Sequence, residues 1–307
     1  MNDTITAQIE EQRASRAQTR RATVPAMEDR LYTLYPVLDQ GFVRVIDYMG
    51  DDNAIVQAAR VSYGKGTKAA RNDAGLIRYL MRHRHSTPFE MCEIKFHMKM
   101  PIFVARQWIR HRTANVNEYS ARYSVLDREF YVPEPAHLAA QSNINNQGRG
   151  DVLEGARAAE VLEMLKSDAA RSFDLYDDLL GESLDADAGQ GLARELARMT
   201  LPLSTYTQWY WKIDLHNLFH FLALRADSHA QYEIRAFADV MLTIARDWVP
   251  HACEAFEDYR VGSFNLSSSM LAVVQRWLRG EQVDQAASGL SAREWHELCD
   301  AVGREAP

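Results

Sequence analysis

Glu93-Ile94-Lys95-Phe96-His97-Met98-Lys99-Met100 alternates polar and apolar residues without a break. In an extended chain successive side chains point to opposite faces. The stretch therefore reads as a strand with Ile94, Phe96, Met98 and Met100 buried and the other four residues on a wetter face. Pro101 follows and suits the first turn of a helix that runs to about Arg110. Upstream, Phe42 to Tyr48 reads as a second strand, and Asp52 to Val61 as a helix with Asp52 as its cap. Another helix spans Asn72 or Asp73 to about Arg84.

Downstream, Asn117 to Tyr123 and Glu129 to Val132 read as short extended pieces, and 133–151 as a loop rich in Pro, Asn and Gly. Val152 to Leu180 and Gly191 to Met199 read as helices. Thr205 to Trp211 is aromatic and β-branched, which favours a strand. Asp214 to Arg225 and Gln231 to Tyr259 are helical in pattern. In the last forty or so residues, Ser267-Ser268-Ser269 and Ser291 each precede a short helix. Helices interleaved with strands that need not be parallel give an α+β domain, with a mixed or antiparallel central sheet flanked by long helices.

Composition narrows the function. The 307 residues carry 47% hydrophobic and 25% charged residues, ordinary globular usage for one large or two small domains. No apolar run reaches the ~18 residues a membrane span needs. Arg13, Arg16, Arg20 and Arg21 are interspersed with Asp3, Glu10, Glu11, Glu28 and Asp29, so the first residues read as a solvated arm or a frayed helix rather than an acid-poor transit peptide. Cys92, Cys253 and Cys299 form neither a disulfide framework nor a Cys-x-x-Cys site, which points to a reducing cytoplasm. None of the three has a neighbour that would make it a nucleophile.

Against a net charge of −7, Arg110-His111-Arg112-Thr113-Ala114-Asn115-Val116-Asn117-Glu118-Tyr119-Ser120-Ala121-Arg122 is a local cationic cluster. Arginine's rigid fork of donors matches phosphate oxygens, so the cluster suits a small anionic ligand better than a nucleic-acid tract. Ser120 has no Gly-x-Ser-x-Gly elbow around it and reads as a hydrogen-bonding residue. Gly64-Lys65-Gly66 is too short for a phosphate loop. His216 and His220 share a helical face but lack the pattern of a metal site, so no metal is expected. His83 and His97 read as surface or structural residues, and the aromatics from Trp209 to Phe221 as core.

The cluster resembles the signature R-H-R-x-x-S-x-N-E-x-S-x-R of flavin-dependent thymidylate synthases (the ThyX type). Every defined position matches except the first serine, which is Asn115 here. Three other patches are similar to the family in the same order: His85 to Glu90, Arg198 with Leu201-Pro202, and Leu224 to Gln231. The resemblance covers roughly Phe42 to Tyr259. It implies a flexible arm over 1–34, a catalytic domain over 35–260 and a helical extension over 261–307.

The resemblance also implies roles. Gln107, Arg110, Glu118, Ser120, Arg122, Arg198 and Arg225 would bind deoxyuridine monophosphate (dUMP), with Arg225 catalytic through the uracil ring. Ser62, His85, Thr87, Arg110, His111, Arg112, Glu118, Asp214, His216 and His220 would bind FAD. It further implies methylenetetrahydrofolate as carbon donor, NADPH as reductant, and a cytoplasmic homotetramer with FAD at subunit interfaces. Two rivals are an NADPH-oxidising flavoprotein that does not methylate and a non-enzymatic nucleotide- or RNA-binding module. The first would lack the nucleotide-side residues, and the second would need a broader basic surface than this acidic chain offers. Asparagine keeps a donor and an acceptor where the motif has serine. Asn115→Ser is therefore expected to leave turnover within a few-fold of the parent in a steady-state assay.

Overall fold

The structure, a computed structural model, describes residues 3–62, 73–143, 148–181 and 191–305. Gly64-Lys65-Gly66, Asn72, Asn145 and Asn146 lie outside the described residues. Two compact units divide the chain, Met1–Phe256 and Glu257–Pro307.

The strands of the first unit are β1 (Leu34–Val37), β2 (Gly41–Met49), β3 (Glu93–Pro101), β4 (Asn115–Glu118), β5 (Ala139–Gln141), β6 (Arg149–Val152) and β7 (Tyr206–Asp214). Five of them form one sheet in the order β1-β2-β3-β7-β4, antiparallel at every step. The helices are α1 (Asp3–Ala14), α2 (Pro25–Arg30), α3 (Asp52–Val61), α4 (Asp73–Arg82), α5 (Thr87–Glu90), α6 (Ile102–Trp108), α7 (Gly155–Leu180), α8 (Arg194–Ala197), α9 (Leu215–Arg225), α10 (Tyr232–Trp248) and α11 (Pro250–Phe256).

The alternation in β3 does what it predicts. Ile94, Phe96 and Met98 are buried opposite Ile213, Trp211 and Trp209 of β7. Onto this face α6 lowers Trp108, which packs on Trp211 (5.4 Å between ring centroids), Trp209 (6.1 Å), Phe221 of α9 (4.5 Å) and Phe237 of α10 (5.9 Å). Burying one such ring contributes about 1.5–3 kcal/mol, and each aromatic pair adds roughly 0.5–1.5. Gly41, at the β1–β2 turn, is required sterically, because a Cβ there would sit 2.6 Å from Val37 O and 2.7 Å from Lys99 O.

Several local expectations are corrected. The cap of α3 is Asp51, whose side chain accepts from Ala54 N at 2.9 Å. Asp52 instead accepts from His251 N (2.9 Å) and Ala252 N (3.0 Å) at the start of α11. The helix expected over Gln231 to Tyr259 is interrupted at Val249, because the residue before Pro250 disfavours the helical region. Gly191 to Met199 shortens to α8 and one 3₁₀ turn, Arg198–Thr200. The loop at 133–151 contains the β5–β6 hairpin. Arg149 there donates to buried Glu233 at 2.6 Å, an ion pair invisible to local patterns. The N-terminal arm is not wholly loose: α2 packs on α10, with Met27 fully buried and Arg30 paired to Asp247.

The second unit has its own core of Met270, Val273, Val283, Leu290, Trp295, Leu298 and Cys299. Its helices α12 (Ser268–Leu278), α13 (Gln285–Ser288) and α14 (Ala292–Val302) start at Ser267, Asp284 and Ser291. Each of these side chains accepts from the first turn, and Ser291 closes a capping box with Glu294.

On the outer face of the sheet, His97 Nδ1 lies 2.9 Å from Arg44 Nη2 and Nε2 lies 3.0 Å from Gln208 Oε1. Guanidinium can only donate, so Nδ1 accepts and the ring is neutral. Burial, then Arg44, lowers the His97 pKa to about 4. A folded-state pKa below the unfolded value of about 6.5 means that the unfolded chain binds more protons, so stability falls as pH drops from about 6.5 toward 4. His97→Gln is expected to flatten this acid limb by up to ~3 kcal/mol, measured as urea-unfolding free energy against pH.

Candidate functional site

The arginine-rich segment begins where α6 ends. Trp108 is fully buried, and His111 N donates to Trp108 O at 2.9 Å, closing a turn over the helix end. Leaving the helix in this way exposes Arg110 and Arg112 and turns His111 inward between them. The His111 ring meets Phe221 edge-on at 4.9 Å and His220 at 6.1 Å. Its Nε2 accepts from Arg225 Nε at 3.0 Å, at the last turn of α9. Burial, followed by the Arg225 and His220 charges, lowers the His111 pKa to about 4.

Beyond Arg112 the chain forms β4, the edge of the sheet, and then turns through Ala121 to Tyr123 rather than staying extended as expected. Pairing with β7 places Glu118 opposite Trp209, and Thr207 Oγ1 donates to Glu118 Oε1 at 2.8 Å. Glu118, Ser120, Arg122 and Arg198 all line one cavity of about 440 Å³, together with Thr207 and Pro202. Two guanidiniums, a carboxylate and hydroxyls in one concavity of this size suit a phosphorylated small molecule. Among its lining residues Tyr123 and Leu203 are apolar and 74% and 64% exposed.

Gln107, Arg110 and Arg225 are not among the residues lining that cavity. A smaller cavity of about 270 Å³ holds Arg112 and Asp214 with Asn115, Glu93 and Lys212. Asp214 also caps α9, accepting from Asn217 N at 2.9 Å and from Asn217 Nδ2 at 2.7 Å, so a structural task already engages both of its oxygens. Ser62, His85 and Thr87 are exposed, at the end of α3 and the start of α5. The α5 helix packs on α9 through Phe89 and Phe219, 6.5 Å apart. His216 is half-buried and His220 exposed on α9. One chain thus distributes the expected residues over a cavity at β4, a cavity at the head of α9, and the His111–Arg225 contact. Thr207 is a site residue that sequence reasoning missed. Its only signal was its place in an otherwise aromatic strand.

Several arginines elsewhere in the chain are neutralised by carboxylates. Arg30, Arg128, Arg149 and Arg276 each pair with a carboxylate. Among the described residues, Arg110, Arg112, Arg122, Arg198 and Arg225 form no such pair. All three cysteines are buried, and burial followed by Asp51 and Asp52 pushes the Cys92 thiol up to about 12.

Comparisons with known proteins agree with one another. The family model described as thymidylate synthase complementing protein matches residues 44–251. A flavin-dependent thymidylate synthase of Ruegeria pomeroyi is 66% identical over 298 residues, covering 97% of each chain. One from Gluconobacter oxydans is 64% identical over 292 residues, covering 95% of each. Among solved structures, the UMP/dUMP methylase PolB from Streptomyces cacaoi, bound with 5-Br dUMP, superimposes with a TM-score of 0.64 at 33% identity. That match covers 73% of this chain and 97% of PolB.

Proposed function

We propose that this chain, which belongs to the family of thymidylate synthase complementing proteins, the flavin-dependent thymidylate synthases, methylates dUMP to thymidine monophosphate. The observation that carries the reading is the set of arginines without internal counter-ions, two of which line the β4 cavity. A phosphate monoester carries about −1.5 to −2 charges near neutral pH, which Arg122 and Arg198 match as forked donors. Glu118, held by Thr207, and Ser120 orient the nucleoside, and Gln107 and Arg110 complete the nucleotide set. Arg225 stays protonated and stabilises negative charge developing on the uracil ring.

The donor set also fits FAD. Arg110 and Arg112 offer exposed guanidiniums for a diphosphate, Ser62 and Thr87 offer hydroxyls, and His85, His111, Glu118, Asp214, His216 and His220 complete the set. When bound, the flavin supplies hydride drawn from NADPH, while methylenetetrahydrofolate supplies the carbon. Buried thiols are consistent with a route that uses no enzyme cysteine nucleophile.

The functional assembly is a homotetramer with FAD at subunit interfaces. Two features support it: the distribution of one ligand's residues over separate places in a single chain, and the exposed apolar residues that line the cavity. The enzyme acts in the cytoplasm, as its three free cysteines fit a reducing compartment. Among the described residues no helix is long and apolar enough to cross a membrane.

The test is the visible spectrum of the purified protein before and after adding dUMP. Flavin bands that shift with the nucleotide support a shared site. A protein that stays colourless after incubation with FAD overturns the cofactor assignment, and bands blind to dUMP favour a flavoprotein that does not methylate. Arg225→Ala is expected to retain the flavin bands while losing about 10²–10³-fold in nucleotide-dependent kcat. Normal turnover in that variant would overturn the catalytic assignment.

A further inference from the structure

Arg225 is held without a carboxylate, as Arg44 is by His97. Arg30 and Arg149 are each fixed by a carboxylate, Asp247 and Glu233. Arg225 is fixed by an imidazole, its Nε–H donating to His111 Nε2 at 3.0 Å. The distinction matters because a carboxylate that orients a guanidinium also cancels its charge. A neutral imidazole orients it and leaves the charge intact. One of the five N–H donors is used, and the four on the terminal nitrogens remain for a ligand.

The imidazole is itself fixed. It follows a helix end anchored by Trp108, its backbone is bonded to Trp108 O, and its ring is wedged against Phe221 and His220. Because a guanidinium cannot accept, Nε2 presents its lone pair and the ring proton resides on Nδ1. A protonated ring would set two cations at hydrogen-bond distance. The fall of the His111 pKa to about 4 agrees with the neutral form at physiological pH.

We propose that His111 is a positioning residue for the methylation reaction, orienting the Arg225 guanidinium through a neutral acceptor at Nε and leaving its terminal nitrogens and full charge for the pyrimidine. This goes beyond a flavin contact for His111 and rests on the reading that Arg225 acts on the nucleotide. It accounts for a second histidine contact, His220, at a place where any acid would weaken Arg225 as an electrostatic catalyst.

A double-mutant cycle tests it, with kcat, KM for dUMP and the flavin spectrum read for each protein. His111→Phe keeps a ring against Phe221 and removes the acceptor. At saturating FAD it is expected to lose about 10–100-fold in kcat, with KM for dUMP changed by no more than about threefold. His111→Gln, whose Oε1 reaches the Nε2 position, is expected to recover most of that loss. The double variant of His111→Phe with Arg225→Ala is expected to be no slower than Arg225→Ala alone, since both remove the same interaction. If His111→Phe does not fold, His111→Asn, with an amide too short to reach Arg225, takes its place in the cycle. Losses that multiply in the double variant, or no rescue by Gln, would each overturn the proposal. Normal turnover of Arg225→Ala would instead overturn the underlying reading, so the two failures are distinguishable.

Discussion

The packing of Trp108 is the constraint on which the rest depends. Its indole joins β7 through Trp209 and Trp211, α9 through Phe221 and α10 through Phe237. Two residues later the cationic segment begins, so the ring that closes the core also aims the arginine-rich chain that follows it. The indole N–H finds no partner in that apolar setting, which costs about 1–3 kcal/mol. Several aromatic contacts of roughly 0.5–1.5 kcal/mol each, on top of the burial of the ring, offset it. Rigidity at the base of Arg110 to Arg112 is what results.

Much of the fold was legible because its signals are local. The alternation in β3 and the apolar face of α3 each state their own environment, and the serine caps of the extension mark their helices. Misread features depend on distant partners. Asp52 looks like a cap until α11 arrives to claim its oxygens. The strands β5 and β6 are short and carry no apolar alternation, and Glu233, more than eighty residues away, anchors Arg149. For the site, residue types and order were readable in the motifs, whereas their grouping was not. That Glu118, Ser120, Arg122 and Arg198 share a cavity follows from β4 pairing with β7, and the His111–Arg225 bond joins elements 114 residues apart.

Five arginines of this acidic protein stay unneutralised in the segments that match the family motifs. The overall charge of −7 is dispersed over the chain, while five guanidiniums of the matched segments stay free of carboxylates. Their mutual repulsion is tolerated because most are exposed and solvated in the free protein, and an anionic ligand relieves it on binding. Arg225 is the more enclosed case, where a neutral histidine replaces both water and acid.

β4 is both the edge of the sheet and a wall of the cavity. An edge strand shows unpaired N–H and C=O groups that invite another strand to add on, and long flat edges are where chains stick together. Here the strand spans only Asn115–Glu118, is exposed along its length, and ends in a tight turn at Ala121 to Tyr123. Those traits limit the run over which a foreign strand could zip up. The same shortness that lets Glu118 and Ser120 bend toward a ligand therefore guards the protein against edge-to-edge aggregation.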